Sequence, residues 1–215
     1  MTAKSPSLQS SVELVGEAWK DSAYYDIAEG FTGYFWDADS QFRSTFDRLD
    51  LTEALELACG HGRHAAIVAP MAGRLTLMDI HEDNLAACRT RMAQRPNVVV
   101  LRNNGYDFHP VEDASLTAIY CYDSMVHFSP DLVESYLRDA ARVLRPGGMG
   151  LFHHSNFDAD PDIHYGQNPH ARNRMTMALF QDLATRAGLE IVESRTIDWG
   201  DALQLDGLTL VRRRP

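Results

Sequence analysis

From Leu51 onward, short apolar runs alternate with stretches whose apolar residues recur at helical spacing. Leu55 to Ala58, Leu75 to Ile80, Val98 to Leu101, Leu116 to Tyr122 and Met149 to His153 have the length and composition of buried strands. Between them, helices are predicted over Arg63 to Ala72, Glu82 to Ala93 and Asp131 to Leu144. The last carries Leu132, Val133, Tyr136, Leu137, Ala141 and Leu144 on one stripe. Thr176 is placed to cap a further helix that Gly188 closes. Two strands then finish the chain, Glu190 to Trp199 and Leu208 to Arg213, joined through Asp206-Gly207. Such alternation predicts an α/β fold with a doubly wound, mostly parallel seven-stranded sheet covered on both faces. No helix separates the final two strands, so the last one is expected to run antiparallel.

Residues 12–48 break this rhythm. They read as short helices dense in aromatics: Trp19, Tyr24, Tyr25, Phe31, Tyr34, Phe35, Trp36, Phe42 and Phe46. These rings either bury one face of the helices or form a lid over a neighbouring site. Residues 1–50 are therefore expected to be a tail and helical cap, and residues 51–215 the main domain.

Composition narrows the function. Of 215 residues 45% are apolar, and the net charge is −10, which disfavours a nucleic-acid partner. No apolar stretch approaches membrane-spanning length, and the polar N-terminus lacks the apolar block of a signal peptide. Cys59, Cys88 and Cys121 are odd in number and scattered, which argues for a reducing cytoplasm and against a zinc site. Asp158, Asp160, Asp162 and His164 read as a solvated run, so no metal is expected.

The richest chemistry lies after the first strand, in Glu56-Leu57-Ala58-Cys59-Gly60-His61-Gly62-Arg63-His64. Gly60 and Gly62 allow a tight turn and close approach of a ligand, and the following helix start offers free amide N–H groups. This run resembles the acidic-x-Gly-x-Gly-x-Gly signature of class I S-adenosylmethionine (SAM)-dependent methyltransferases, with Ala58 where the first glycine is usual. Asp79 ends the second strand, nineteen residues beyond Gly60. Asn104-Gly105-Tyr106-Asp107 follows the third strand, and Leu144-Arg145-Pro146-Gly147-Gly148 resembles the family's turn before strand five. The resemblance spans roughly residues 51–213. A nicotinamide-dependent dehydrogenase also fits Gly60-x-Gly62 and Asp79. The late position of the motif, Glu56 and the terminal strand pair disfavour it.

The resemblance implies SAM as cofactor, with S-adenosylhomocysteine (SAH) as product. It assigns Tyr24, Glu56, Ala58, Cys59, Gly60, Gly62, His64, Asp79, Ile80, Asn104, Gly105, Tyr106 and Tyr122 to cofactor binding. Asp79 is expected on the ribose hydroxyls, since a carboxylate accepts from both. Loops at the carboxyl ends of strands four and five should face the reacting methyl group. His127 is the first candidate for a general base, His154 the second, and Asp123 an orienting or cofactor-contacting carboxylate. His153, alternating to the opposite face, is expected to be structural. Tyr165, Asn168, His170, Arg172 and Asn173 are candidates for acceptor contacts. The function so implied is methyl transfer to a hydroxyl of a polar small molecule. Transfer to nitrogen, or SAM binding without turnover, stay open, as does the oligomeric state.

Overall fold

In a computed structural model, residues 8–158 and 172–215 are described. Strands β1 (Glu53–Leu57), β2 (Arg74–Asp79), β3 (Val98–Arg102), β4 (Leu116–Cys121), β5 (Leu144–Ser155), β6 (Leu189–Trp199) and β7 (Ala202–Arg213) form one sheet. Their order is β3-β2-β1-β4-β5-β7-β6. All neighbouring pairs are parallel except β5–β7 and β6–β7, so β7 runs against the rest. The sheet is the one expected from the alternation. Strand order reverses between β1 and β4, the place where an open α/β sheet leaves a crevice beyond its carboxyl ends.

Helices α1 (Leu8–Trp19), α2 (Tyr24–Ala28), α3 (Thr32–Trp36) and α4 (Gln41–Phe46) precede the sheet. Helices α5 (Arg63–Val68), α6 (Glu82–Arg91), α7 (Pro130–Val143) and α8 (Met177–Arg186) link the strands. One apolar core joins Phe35, Trp36, Phe42 and Phe46 of the cap to Ala65, Val68 and Leu85 under the sheet. The other packs Val133, Tyr136, Leu137, Phe180 and Leu183 on the opposite face. The aromatic run thus divides its labour. Phe35, Phe42 and Phe46 are core, whereas Trp19, Tyr24 and Tyr25 line a cavity. Thr176 caps α8 as expected, accepting the Leu179 N–H at 3.1 Å. Among the described residues no helix is long and apolar enough to cross a membrane.

Three boundaries differ from the expected ones by more than two residues. Helix α5 stops at Val68: Ala69 still holds helical backbone, but Pro70 has no N–H with which to continue the hydrogen-bond ladder. Strand β5 begins at Leu144, its pairing with β4 slipping across the Pro146-Gly147-Gly148 segment. The turn between β6 and β7 lies at Gly200-Asp201, so Asp206 and Gly207 are inside β7. Gly207 is there for packing rather than turning: a Cβ on it would come within 2.3 Å of the His154 ring.

Candidate active site

Beyond the carboxyl ends of β1, β2 and β4 lies a cavity of ≈ 950 Å³, counting its opening to solvent. Its floor is the β1–α5 turn, Ala58 to Gly60, and Arg63 and His64 of α5 contribute one wall. Asp79, Ile80, Asn103 and Gly105 form a second wall, and Tyr122, Asp123, Ser124, His127 and Phe128 a third. The cap closes the top with Val12, Val15, Gly16 and Trp19 of α1 and with Tyr24 and Tyr25 of α2.

The turn depends on left-handed backbone at three points, Ala58 (φ 55°), Gly60 (φ 52°) and Gly62 (φ 75°). Glycine takes this conformation freely, while Ala58 carries strain. A Cβ at Gly60 would also approach the Tyr25 ring to 2.9 Å, and one at Gly105 would strike Val12 at 2.4 Å. These glycines let the cap close over the turn. Gly62 serves differently: its Cα faces Cys88 of α6 instead of lining the cavity.

Asp79 is buried at the cavity wall. Its Oδ2 accepts the Gly60 N–H at 2.9 Å, and its Oδ1 accepts from the His81 N–H (2.9 Å) and Asn84 Nδ2 (3.1 Å). Burial raises its pKa, partly opposed by these hydrogen bonds. Asp123, in left-handed backbone at φ 55°, joins cap to floor. Its Oδ2 accepts the Tyr24 hydroxyl at 2.9 Å and pairs with the Arg63 guanidinium, which also donates to the Ala28 carbonyl at 2.6 Å. Burial, with Asp123 beside it, pushes the Tyr24 hydroxyl's pKa up.

His64 is locked into one tautomer. Its Nδ1 accepts from Trp36 Nε1 at 2.9 Å, so the proton sits on Nε2. Burial holds its pKa well below the ordinary value, so the ring is neutral. That Nε2–H is buried without a hydrogen-bond partner, as is the Trp19 Nε1–H; the His81 Nε2 atom is likewise unpartnered, and all three residues line the cavity. Buried donors of this kind are costly unless something in the cavity accepts from them. His127 lies in the 3-10 turn Met125–His127, buried with Trp19 packed on it at 4.5 Å between ring centroids.

The remaining candidates fall elsewhere. Glu56 is not at the cavity: it is buried within β1, accepting the Tyr120 hydroxyl at 2.6 Å from the adjacent strand. Burial raises its pKa to about 8, so the carboxyl is largely protonated at neutral pH. Asn104 spends its side chain on its own turn, accepting from the Tyr106 and Asp107 N–H groups, and neither Asn104 nor Tyr106 reaches the lining. Asn103 and Gly105 do. His154 is a correction as well. Its ring stacks flat on Phe180 at 3.8 Å and bonds Thr209 Oγ1 at 2.9 Å, far from solvent. Burial lowers its pKa to about 3, which leaves it a poor base and outside the cavity. The alternation of His153 and His154 holds, but it is His153 that turns toward the cap side. Arg172 is buried against Asp206, and Asn173 holds the His127 turn through the Val126 and His127 carbonyls. Neither lines the cavity. Tyr165, Asn168 and His170 lie outside the described residues. Among the described residues no cluster of three metal-ligating side chains occurs.

Sequence reasoning missed Arg63, His81 and Asn103 as lining residues, and Asp206 behind them. Arg63 directly follows Gly62 and was the most accessible, since the first residue of a helix after a ligand-binding turn borders the ligand.

Comparisons with known proteins agree with this geometry. A family profile described as a methyltransferase domain matches residues 54–148. A Mycolicibacterium smegmatis protein named "Probable S-adenosylmethionine-dependent methyltransferase" is 27% identical over 152 residues, 70% of this chain and 57% of that relative. The chain thus spans little more than half of that relative's length. The structure of geranyl diphosphate C-methyltransferase from Streptomyces coelicolor A3(2), in complex with Mg²⁺, geranyl diphosphate and SAH, superposes with TM-score 0.71 at 12% identity. That match covers 98% of this chain and 99% of the other. A SAM-dependent methyltransferase from Clostridium acetobutylicum gives 0.66 at 14% identity, over 90% and 100%. At such identities the structures attest the fold.

Proposed function

Residues 54–148 belong to the class I SAM-dependent methyltransferase family, and from that premise we propose that this chain transfers the SAM methyl group to a hydroxyl of a small molecule. The observation that carries the reading is the cavity itself: a carboxylate at the end of β2, a glycine-bearing floor, and buried N–H donors without partners. The residues present fit SAM. Asp79 would take the ribose hydroxyls, and Ile80, Gly105 and Phe128 offer an apolar slot for the purine. Arg63, Tyr24 and His64 provide polar groups for the amino-acid tail. Bound there, SAM supplies a methyl group activated by a cationic sulfonium.

The protein's own part is placement, exclusion of water and handling of one proton. Helix α1 and Trp19 cover the cavity, so an acceptor and a donor held beneath them meet with little water between. Asp123, tied to Tyr24 and Arg63, fixes the cap against the loop after β4. His127 is our candidate to remove the acceptor proton, since a hydroxyl must lose it as the new bond forms. Trp19 packs on the His127 ring, and Phe128 and Leu132 line the same cavity. They favour an acceptor with an apolar or flat body carrying the hydroxyl. A methyl-transfer screen with labelled SAM over phenols, other alcohols and amines tests this. Labelled hydroxyl product supports it. Amine product alone replaces oxygen by nitrogen, and SAM binding with no product from any class refutes transfer.

A further inference from the structure

Behind the cavity wall a chain of buried polar groups runs inward from the lining residue Asp123 through His153, Asp206 and Arg172, and the last three do not line the cavity. It starts at the Asp123 backbone N–H, which donates to His153 Nδ1 at 3.0 Å. A nitrogen that accepts carries no proton, so the His153 proton must sit on Nε2. Nε2 lies 2.9 Å from Asp206 Oδ2, which accepts it. Arg172 completes the chain with a fork on the same carboxylate, Nε to Oδ1 at 2.6 Å and Nη2 to Oδ2 at 2.9 Å. Its guanidinium lies 5.0 Å above the Trp199 ring. His153 and Asp206 are completely buried, and Arg172 nearly so.

An ionised pair so deep is a poor way to stabilise a sheet, because desolvation offsets the attraction and apolar side chains fill the same space as well. What the chain does secure is a strained residue. Asp123 holds left-handed backbone without being glycine, and a buried N–H there needs an acceptor in one fixed direction. The Asp123 carboxylate in turn grips Tyr24 and Arg63 at the cavity. We propose that His153 is a positioning residue for the donor site. It holds Asp123 in the backbone conformation that aims its carboxylate at Tyr24 and Arg63, while Asp206 and Arg172 fix the His153 tautomer. Arg172 thereby ties the segment before α8 to the same site, across β5 and β7. The inference rests on the reading of the cavity as a SAM site.

Calorimetric titration of the full chain with SAH, on single and double variants, tests it. H153F removes the acceptor, and is expected to weaken SAH binding at least tenfold. H153N presents an amide oxygen near the place of Nδ1 and is expected to stay within threefold of wild type. In a D123A background, H153F should add less than twofold, because its effect passes through Asp123. Losses from H153F and D123A that simply multiply would overturn the proposal, as would equal losses from H153N and H153F. Should H153F not fold, the ¹⁵N spectrum of the wild-type histidines decides. The Nε2–H tautomer at His153, lost or mixed in D206N, supports the chain, and a proton on Nδ1 overturns it. Wild-type protein that ignores SAH while showing that tautomer would refute the cofactor reading and leave the His153–Asp123 link standing.

Discussion

Glu56 shows how far one residue's environment can depart from its motif. A carboxyl two positions before Ala58 matches the family signature, yet it lies inside the sheet with Tyr120 as its partner. With its folded pKa raised to about 8, it binds its proton more tightly in the native state than in the unfolded chain. Its contribution is therefore fully present below the ordinary value of 4.5 and is lost as pH rises through about 8. Glu56→Gln, neutral at every pH, should raise the melting temperature by at least ~2 °C at pH 8.5, the size of shift that roughly 1 kcal/mol produces in a chain of this length, with little change at pH 5. SAH affinity should stay within twofold; a tenfold loss would return Glu56 to the cofactor site. Ala58 offers the converse case. Its left-handed backbone explains why glycine is usual there, and Ala58→Gly should be neutral or stabilising by up to ~1 kcal/mol in denaturant unfolding. His127→Ala should cut turnover at least tenfold while barely moving the SAH dissociation constant. Equal losses in both would make His127 a binding residue.

Elements were legible where their signals are local. The Gly60 turn, Asp79 at a strand end and the Thr176 cap all announce themselves within a few residues, and the sheet follows from the alternation. What escaped depends on residues far apart in the chain. Asp206 meets His153 across 53 positions, and Asp206-Gly207 has the composition of a turn although it lies in the middle of β7. Only the His154 ring on the facing strand explains that glycine. Gly207→Ala should accordingly destabilise the fold by ~1–3 kcal/mol through overpacking, and His154→Ala in the same chain should recover part of the loss. An uncorrected double variant, with the two losses adding, would deny the contact. The choice between His153 and His154 failed for a related reason. Period two separates the two rings correctly, but which face meets the cap is decided by the packing of α3, α4 and α8.

Across the whole molecule, a seven-stranded sheet sets the crevice, the cap covers it, and a buried chain from Arg172 to Asp123 braces the loop between them. Acid should loosen that brace. Burial alone would raise the Asp206 pKa, but His153 and Arg172 outweigh it and hold it at about 2. Its stabilisation is present above the ordinary carboxylate value and disappears as pH falls from about 4 toward 2. Asp206→Asn should flatten that limb of the pH–stability curve, and an unchanged limb would place the acid sensitivity elsewhere. The most direct test of the whole account is a calorimetric titration of the wild-type chain with SAM, run beside one with NAD. One SAM should bind per chain with micromolar or tighter affinity and NAD should give no heat. Silence toward SAM, or preference for NAD, would contradict the reading of the cavity.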